Sequence, residues 1–424
     1  MQSLRGTKDI LPNEIHIWQT IHKIAHNTLN IYNYEEIRTP IIENTELFQR
    51  SIGNFTDIVN KEMYSFHDQG KRHITLRPEG TASIARALIT NKMYTEKPIN
   101  RLWYLGPMFR YERPQKGRQR QFHQLGIECI GSDMPVADIE VIKLANEILQ
   151  KIECKDQYSL EINSIGNLHE REIYKLDLVE YLKKYENELD KDSKNRMSKN
   201  PLRILDSKNL KTQEILKDAP KLKQYLNKTS LKHFETICEH LTYLNIKYKI
   251  NNYLVRGLDY YNYTAFEIKT KNFNQQNTIC GGGRYDNLIE QLGGPRIPAV
   301  GWAIGLERLI LLMQKSISHR IQQDRIYIAI QNLYTIDILW DIIHVLQEYQ
   351  LKFELDLSNN NLSKQIKRAN QLKAEICFII GENEINDKSI TIKWLKTRTQ
   401  QTIKLSNLRK YIKYLKRFHY LTKY

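Results

Sequence analysis

Two runs with strand character, Arg101–Glu112 and Gln119–Ile130, flank a short loop that carries Pro114, Lys116, Gly117 and Arg118. Apolar runs around a Pro/Gly loop predict an antiparallel hairpin. Period two then puts Met108, Arg110 and Glu112 on one face of the first strand, and Phe122, Gln124, Gly126 and Glu128 on one face of the second. One sheet surface would carry an aromatic plate, an amide, a carboxylate, an arginine and a glycine that a ligand could approach. A solvated hairpin face explains the alternation equally well.

Elements on either side follow from the same patterning. Ile17, Ile21, Ile24 and Leu29 predict a helix over Glu14–Tyr32, behind Pro12 and Asn13. Glu36–Ile42 reads as a strand whose Pro40 suits an edge or a bulge. In TLRPEGTA (residues 75–82), Pro78 and Gly80 force a turn that leaves Glu79 and Thr81 at the head of a helix from Ser83 onward. Glu79 there could simply cap the helix. A helix over Ile139–Ile152 and a strand over Tyr158–Ile162 come next.

Between Glu170 and Lys249, Lys, Glu, Asp and Asn crowd between spaced Ile173, Leu176, Val179, Leu182 and Tyr185, interrupted by PLRILDSKN at residues 201–209. The pattern is helical and reads as an insertion splitting a sheet domain, or as a surface excursion. Strand character returns over Asn252–Ile268. CGGGRYDNL (residues 280–288) lacks the G-K-[ST] of a nucleotide P-loop, so its glycines predict a tight turn and close backbone approach. Pro298–Leu312 runs from strand into an apolar helix, where Arg308 would need an anionic partner. Adjacent Glu307 faces elsewhere on the helix.

From Arg325 strands and helices alternate: Ile326–Ile330, helix Ile336–Tyr349, Lys352–Leu357, helix Ser363–Leu372, Glu375–Ile380, Ser389–Trp394 and a last helix Leu405–Phe418. That order predicts a separate domain with a mostly parallel sheet. No acidic residue follows Asp387, and Arg409, Lys410, Lys413 and Lys416 lie off the apolar face of the last helix. Such a face suits an RNA backbone, or only solvent.

Composition narrows the function classes. A net charge of +16 and a pI near 9.3 point to a polyanionic partner, although Ile-, Lys- and Asn-rich usage from an AT-rich genome gives the same sign. Five scattered cysteines without C-x-x-C argue against a disulfide framework and a zinc site. No apolar run approaches the roughly 20 residues that cross a bilayer, so no membrane role is expected. MQSLRGTKDILPNE lacks the apolar core of a signal peptide. A cytoplasmic protein is expected, or one of the plastid stroma if the gene is organellar.

Phe109-Arg110-x-Glu112, a basic loop and Arg120-x-Phe122 resemble motif 2 of the class II aminoacyl-tRNA synthetases. FRYERPQKGRQRQFHQLGIE and LVRGLDYYN resemble the histidyl family in particular, and the likeness runs from RGTKDILPNE to the terminal domain. YEEIRTPIIENTELFQRSIG (residues 34–53) resembles motif 1, and GLER around Arg308 resembles motif 3. The resemblance implies an α+β fold: a class II antiparallel-sheet catalytic domain over 1–324, with the helical insertion at about 170–250, and an anticodon-binding α/β domain over 325–424. It also implies a homodimer through residues 34–53, ATP and Mg2+ as cosubstrates, and L-histidine and tRNA(His) as partners. The insertion would touch the acceptor arm.

The implied reaction is histidyl-adenylate formation followed by transfer to the terminal 3′-hydroxyl of the tRNA. Phosphoryl chemistry of this kind needs positioning and charge compensation, which arginine forks supply. By resemblance, Arg110 and Arg256 are the catalytic pair. Arg308 and Arg118 hold the outer phosphates, Phe122 stacks on adenine, and Glu112 meets adenine or the tRNA end. Glu79, Gly80, Thr81 and Gln124 take the ammonium group; Glu128, Tyr260, Tyr261 and Tyr285 take the imidazole. Magnesium ligands are not implied.

Two departures, Asn287 after GGGRYD and Tyr263 after DYYN, remove no charge from this scheme. A catalytically silent paralogue that senses histidine as a regulatory subunit would predict a broken arginine set; Arg110, Arg256 and Arg308 are all present.

Overall fold

A computed structural model describes residues 1–53, 56, 58–152, 158–270, 277–317, 326–331, 336–358 and 360–417. The chain divides into two compact units, Met1–Ser316 and Ile317–Tyr424.

The first unit is built on an eight-stranded sheet. Its strands are β1 (Glu35–Glu36), β5 (Asn100–Phe109), β6 (Gln121–Ile130), β7 (Tyr158–Ser164), β8 (Tyr248–Ile250), β9 (Asn262–Thr270), β10 (Thr278–Arg284) and β11 (Ala299–Gly305). They lie in the order β1-β5-β6-β11-β10-β9-β7-β8. The six central strands pair antiparallel, and only the short edge strands β1 and β8 pair parallel. A smaller sheet, β2-β4-β3, comprises β2 (Ile42–Asn44), β3 (Tyr64–His67) and β4 (His73–Leu76).

Register explains how one face of the large sheet becomes a basin. Trp103, Ile127, Trp302, Gly282 and Phe266 stand opposite one another in successive strands, and the large members of this row are buried. Trp302 donates to the Val141 carbonyl of helix Pro135–Lys151 at 2.8 Å, and Trp103 meets the rings of His22 and His26 on helix Pro12–Ile31. One residue along, the row on the other face reads Tyr104, Gly126, Ala303, Gly281 and Glu267. Its centre has almost no side chain, so the floor is lowered.

Several expected elements shift. The strand expected over Glu36–Ile42 is two strands in two sheets, because Pro40 has no N–H to continue a ladder. The one expected over Asn252–Ile268 begins only at Asn262; residues 251–261 are irregular and carry Arg256, Tyr260 and Tyr261. Gly281–Gly283 lie inside β10 and not in a turn. The hairpin strands end at Phe109 and resume at Gln121, so the connecting loop is longer than expected.

The insertion leaves the sheet after β7 and returns at β8. It contains helices Leu168–Lys183, Lys191–Lys199, Leu210–Lys217 and Lys228–Tyr243, around Tyr174, Leu178, Leu182, Ile204 and Leu216. Its first helix opens with a capping box between Asn167 and Glu170. Asn200 donates to Asp259 Oδ1 at 2.8 Å, tying the insertion to the loop that bears Arg256.

In the second unit β12 (Ile326–Ile330), β13 (Phe353–Leu355), β14 (Ile376–Ile380), β15 (Ser389–Trp394) and β16 (Thr399–Lys404) lie in the order β13-β12-β14-β15-β16. The first three are parallel and the last two antiparallel, so the sheet is mixed where a mostly parallel one was expected. Leu408, Ile412 and Leu415 bury one face of helix Leu408–Arg417. Arg409 pairs with Glu348 at 2.9 Å and Lys416 donates to the Tyr349 carbonyl, so two of the four basic positions hold this unit together. The expected helix end at Phe418 lies outside the described residues.

Candidate active site

Two cavities stand over the lowered floor. The first, about 280 Å³, is lined by Glu79, Thr81, Gln124, Tyr260, Tyr261 and Tyr285 together with Arg110 and Arg256. The second, about 170 Å³, is lined by Phe122, Gly117, Glu307 and Arg308 among others. Arg110, Glu112, Arg118, Gln124 and Arg256 border both. The residues expected for histidine and for ATP therefore occupy adjoining halves of one cleft.

Turn chemistry sets the first half. Glu79 accepts from the backbone N–H groups of Thr81 and Ala82, each at 2.8 Å, and so caps helix Thr81–Thr90 while bordering the cavity. Burial raises its carboxyl and those N–H groups oppose the shift. Thr81 Oγ1 donates to Glu128 Oε1 at 2.8 Å, and the Tyr285 hydroxyl donates to Oε2. Burial pushes the Glu128 carboxyl up to about 8 against both donors. Glu128 and Gly80 do not line the cavity themselves. Glu128 stands behind Thr81 and Tyr285, and Gly80 leaves room for the Tyr104 ring. Tyr260, Tyr261 and Tyr285 meet edge-on or tilted, with ring centroids 4.6 to 6.4 Å apart. Gln124 Oε1 is buried without a protein donor.

Cations dominate the second half. Arg110 donates to the Pro78 carbonyl at 2.9 Å and lies 5.3 Å from the Phe122 ring centroid. Arg118 pairs with Glu112. Arg308 is in the first turn of helix Leu306–Ile317, where it donates to the carbonyls of Gly117 at 3.2 Å and Thr278 at 2.6 Å. Glu307, the adjacent residue, accepts from the backbone N–H of His123 and meets its ring. Burial lowers the affinity of Arg110, Arg118 and Arg308 for their protons, and Arg110 and Arg308 also depress each other's neighbours: Arg308 and Arg110 both lower Arg118, and Arg110 lowers Arg308. Such a cluster favours a polyanion between its members. Arg256 pairs with Glu267 and lies 5.6 Å from the Tyr261 ring centroid.

Tyr104, beneath the cavity, and Arg203, at its border, were not anticipated from the sequence. Tyr104 packs against both Gly80 and Gly126, and its parity with Met108 and Arg110 was a usable signal. Arg203, from the insertion, borders the first cavity; nothing in PLRILDSKN distinguishes it from a surface arginine. No group of three or more His, Cys, Asp or Glu able to hold a metal occurs among the described residues. Glu112 and Glu307, at the second cavity, already serve Arg118 and His123. The described residues do not form a resident metal site.

Residues 6–309 match the family model for histidyl-tRNA synthetase. A chloroplastic histidine–tRNA ligase from Gracilaria tenuistipitata var. liui is 64% identical over 407 residues, covering 96% of each chain. The chain belongs to the histidyl-tRNA synthetase family. A histidine–tRNA ligase from Cyanothece is 50% identical over 409 residues, covering 96% of this chain and 95% of its own. The apo histidyl-tRNA synthetase of S. aureus superposes with a TM-score of 0.81 at 35% identity, covering 97% of this chain and all of that one. Residues 326–415 match the family model for an anticodon binding domain.

Proposed function

We propose that this chain ligates L-histidine to tRNA(His) through histidyl-adenylate, releasing pyrophosphate and then AMP. The observation that carries the reading is the junction of the two cavities, bordered by Arg110, Gln124 and Arg256. A carboxylate in the first half and an α-phosphate entering from the second would meet there. The histidine carboxylate attacks the α-phosphorus and the bond to the β-phosphate breaks. Arg110 holds both reacting groups and Arg256 takes the charge that develops on the α-phosphate. Arg308 and Arg118 bind the outer phosphates of ATP, which arrives as its magnesium complex. Phe122 stacks on adenine beneath Arg110, and Glu112 meets adenine or the tRNA end.

For the amino acid, the unpartnered Gln124 oxygen suits an ammonium donor alongside Glu79 and Thr81, with Gly80 shaping their turn. The three tyrosines supply polar partners for imidazole, with Glu128 acting from behind them through the Tyr285 hydroxyl, and a site built to hydrogen-bond a group rejects analogues that lack it. The 3′-hydroxyl of the tRNA then attacks the acyl carbon and AMP leaves. The terminal unit binds the anticodon and the insertion meets the acceptor arm. Two chains pair through residues 34–53, and the chloroplastic relative favours the plastid stroma over the cytoplasm as the working compartment.

Pyrophosphate exchange into ATP, with each of the twenty amino acids offered singly, tests this. Exchange with histidine alone, strongly reduced but still measurable in Arg256→Ala, is expected. Exchange with another amino acid would remove the pocket assignment.

A further inference from the structure

Arg256 enters the cleft from an irregular loop, so no strand geometry fixes its guanidinium. The support comes from β9 and β10. Glu267 of β9 stands opposite Gly281 of β10. A Cβ at Gly281 would fall on the Arg256 guanidinium, which therefore occupies the space over the glycine and pairs through Nη1 with Glu267 Oε1. The second carboxylate oxygen, Oε2, accepts from Thr278 Oγ1 at 3.1 Å and lies 3.4 Å from Lys269 Nζ. Lys269 is itself held by Glu161 at 2.8 Å. The carbonyl of Thr278 takes Arg308 Nη1 at 2.6 Å. Thr278 thus touches the brace of one arginine with its side chain and the other arginine with its backbone. The β9–β10 register shifts between Thr278 and Cys280.

Glu267 borders neither cavity, and its carboxylate oxygens are taken by Arg256, Thr278 and Lys269. An ordinary cross-strand ion pair would join two strand residues; this one reaches past a glycine to a loop arginine.

We propose that Glu267 is a positioning residue for Arg256, and that Thr278 sets Arg256 and Arg308 at a fixed separation so that α- and outer phosphates are gripped together. This rests on the reading that those two arginines bind phosphate. A charge-assisted hydrogen bond orients the planar fork; without it Arg256 is left to its contact with the Tyr261 ring.

The test is histidine-dependent pyrophosphate exchange by the full chain, in wild type, Glu267→Gln, Arg256→Ala and the double variant, with thermal unfolding followed alongside. Glu267→Gln is expected to lower kcat about 100-fold, the scale of a misplacement near 1 Å, while KM for ATP stays within about twofold. In the Arg256→Ala background the same change should cost nothing further. Thr278→Ser should retain activity and Thr278→Val should lose part of it. An equal loss from Glu267→Gln in both backgrounds, or no loss in wild type, overturns the inference while leaving Arg256 its role. Wild-type exchange by Arg256→Ala would overturn the reading of Arg256 and the inference with it.

Discussion

Glu128 is 1% exposed and is met by two neutral hydroxyls, from Thr81 and Tyr285. Its carboxyl is raised by burial from 4.5 to about 8, so between those values the folded chain holds a proton that the unfolded chain has released. Linkage then makes the stability contributed by this group fall as pH rises through that window. Thermal unfolding of Glu128→Gln, which keeps the shape and cannot ionise, should gain on wild type between pH 5 and pH 8.5 (roughly the window set by the shift). A difference in Tm that stays flat with pH would show that Glu128 is ionised throughout. Gly281 poses a steric question at the same scale. Its backbone is extended within β10, so Gly281→Ala meets no conformational penalty and its effect is the collision with Arg256. Exchange should fall by about 100-fold with little change in Tm; an active Gly281→Ala protein would mean that Arg256 works from elsewhere. Period two was enough to bring Gln124 and Glu128 to one face from sequence. It did not reveal what Gly281 makes room for, because the arginine that fills the space is distant in sequence and arrives from the irregular loop ahead of β9.

At the scale of elements, alternation was legible wherever a strand buried one face, as in β5 and β6, and illegible where it did not. Thr399–Lys404 is a polar, exposed edge strand, so no hydrophobic pattern could announce it. Asn252–Tyr261 carries the apolar and aromatic residues of a strand, yet Leu258, Tyr260 and Tyr261 line a cavity and the stretch joins no ladder. The loop between β5 and β6 adds a further case. Gly117 sits at φ +75°, and a Cβ there would stand 2.9 Å from Arg308 Cγ. Gly117→Ala incurs a left-handed penalty of roughly 1–2 kcal/mol and pushes the loop off Arg308. Because the loop and Arg308 both border the cavity proposed for the nucleotide, KM for ATP in the exchange reaction should rise roughly tenfold if that strain is relieved only by opening. KM for histidine should hold. A matching rise for histidine would place the loop's influence in both halves of the cleft.

Across the whole molecule, the net charge of +16 admits two origins, lysine-rich coding or selection for a polyanion, and they differ in their response to salt. Contacts to phosphates release counterions, so binding weakens steeply as salt rises; charges scattered by composition do not converge on one ligand and leave binding nearly flat. Adenylate formation provides an internal control, since the arginines proposed for it are buried in the cleft and little screened. Aminoacylation and pyrophosphate exchange should therefore separate. Between roughly 50 and 200 mM salt, even two phosphate contacts predict about a tenfold rise in KM for tRNA, while exchange changes far less. If both activities fell together, salt would be acting on the cleft. If neither changed, the basic surface of the terminal unit, where Arg409 and Lys416 already serve internal packing, would owe its charge to composition, and tRNA recognition would rest on uncharged contacts.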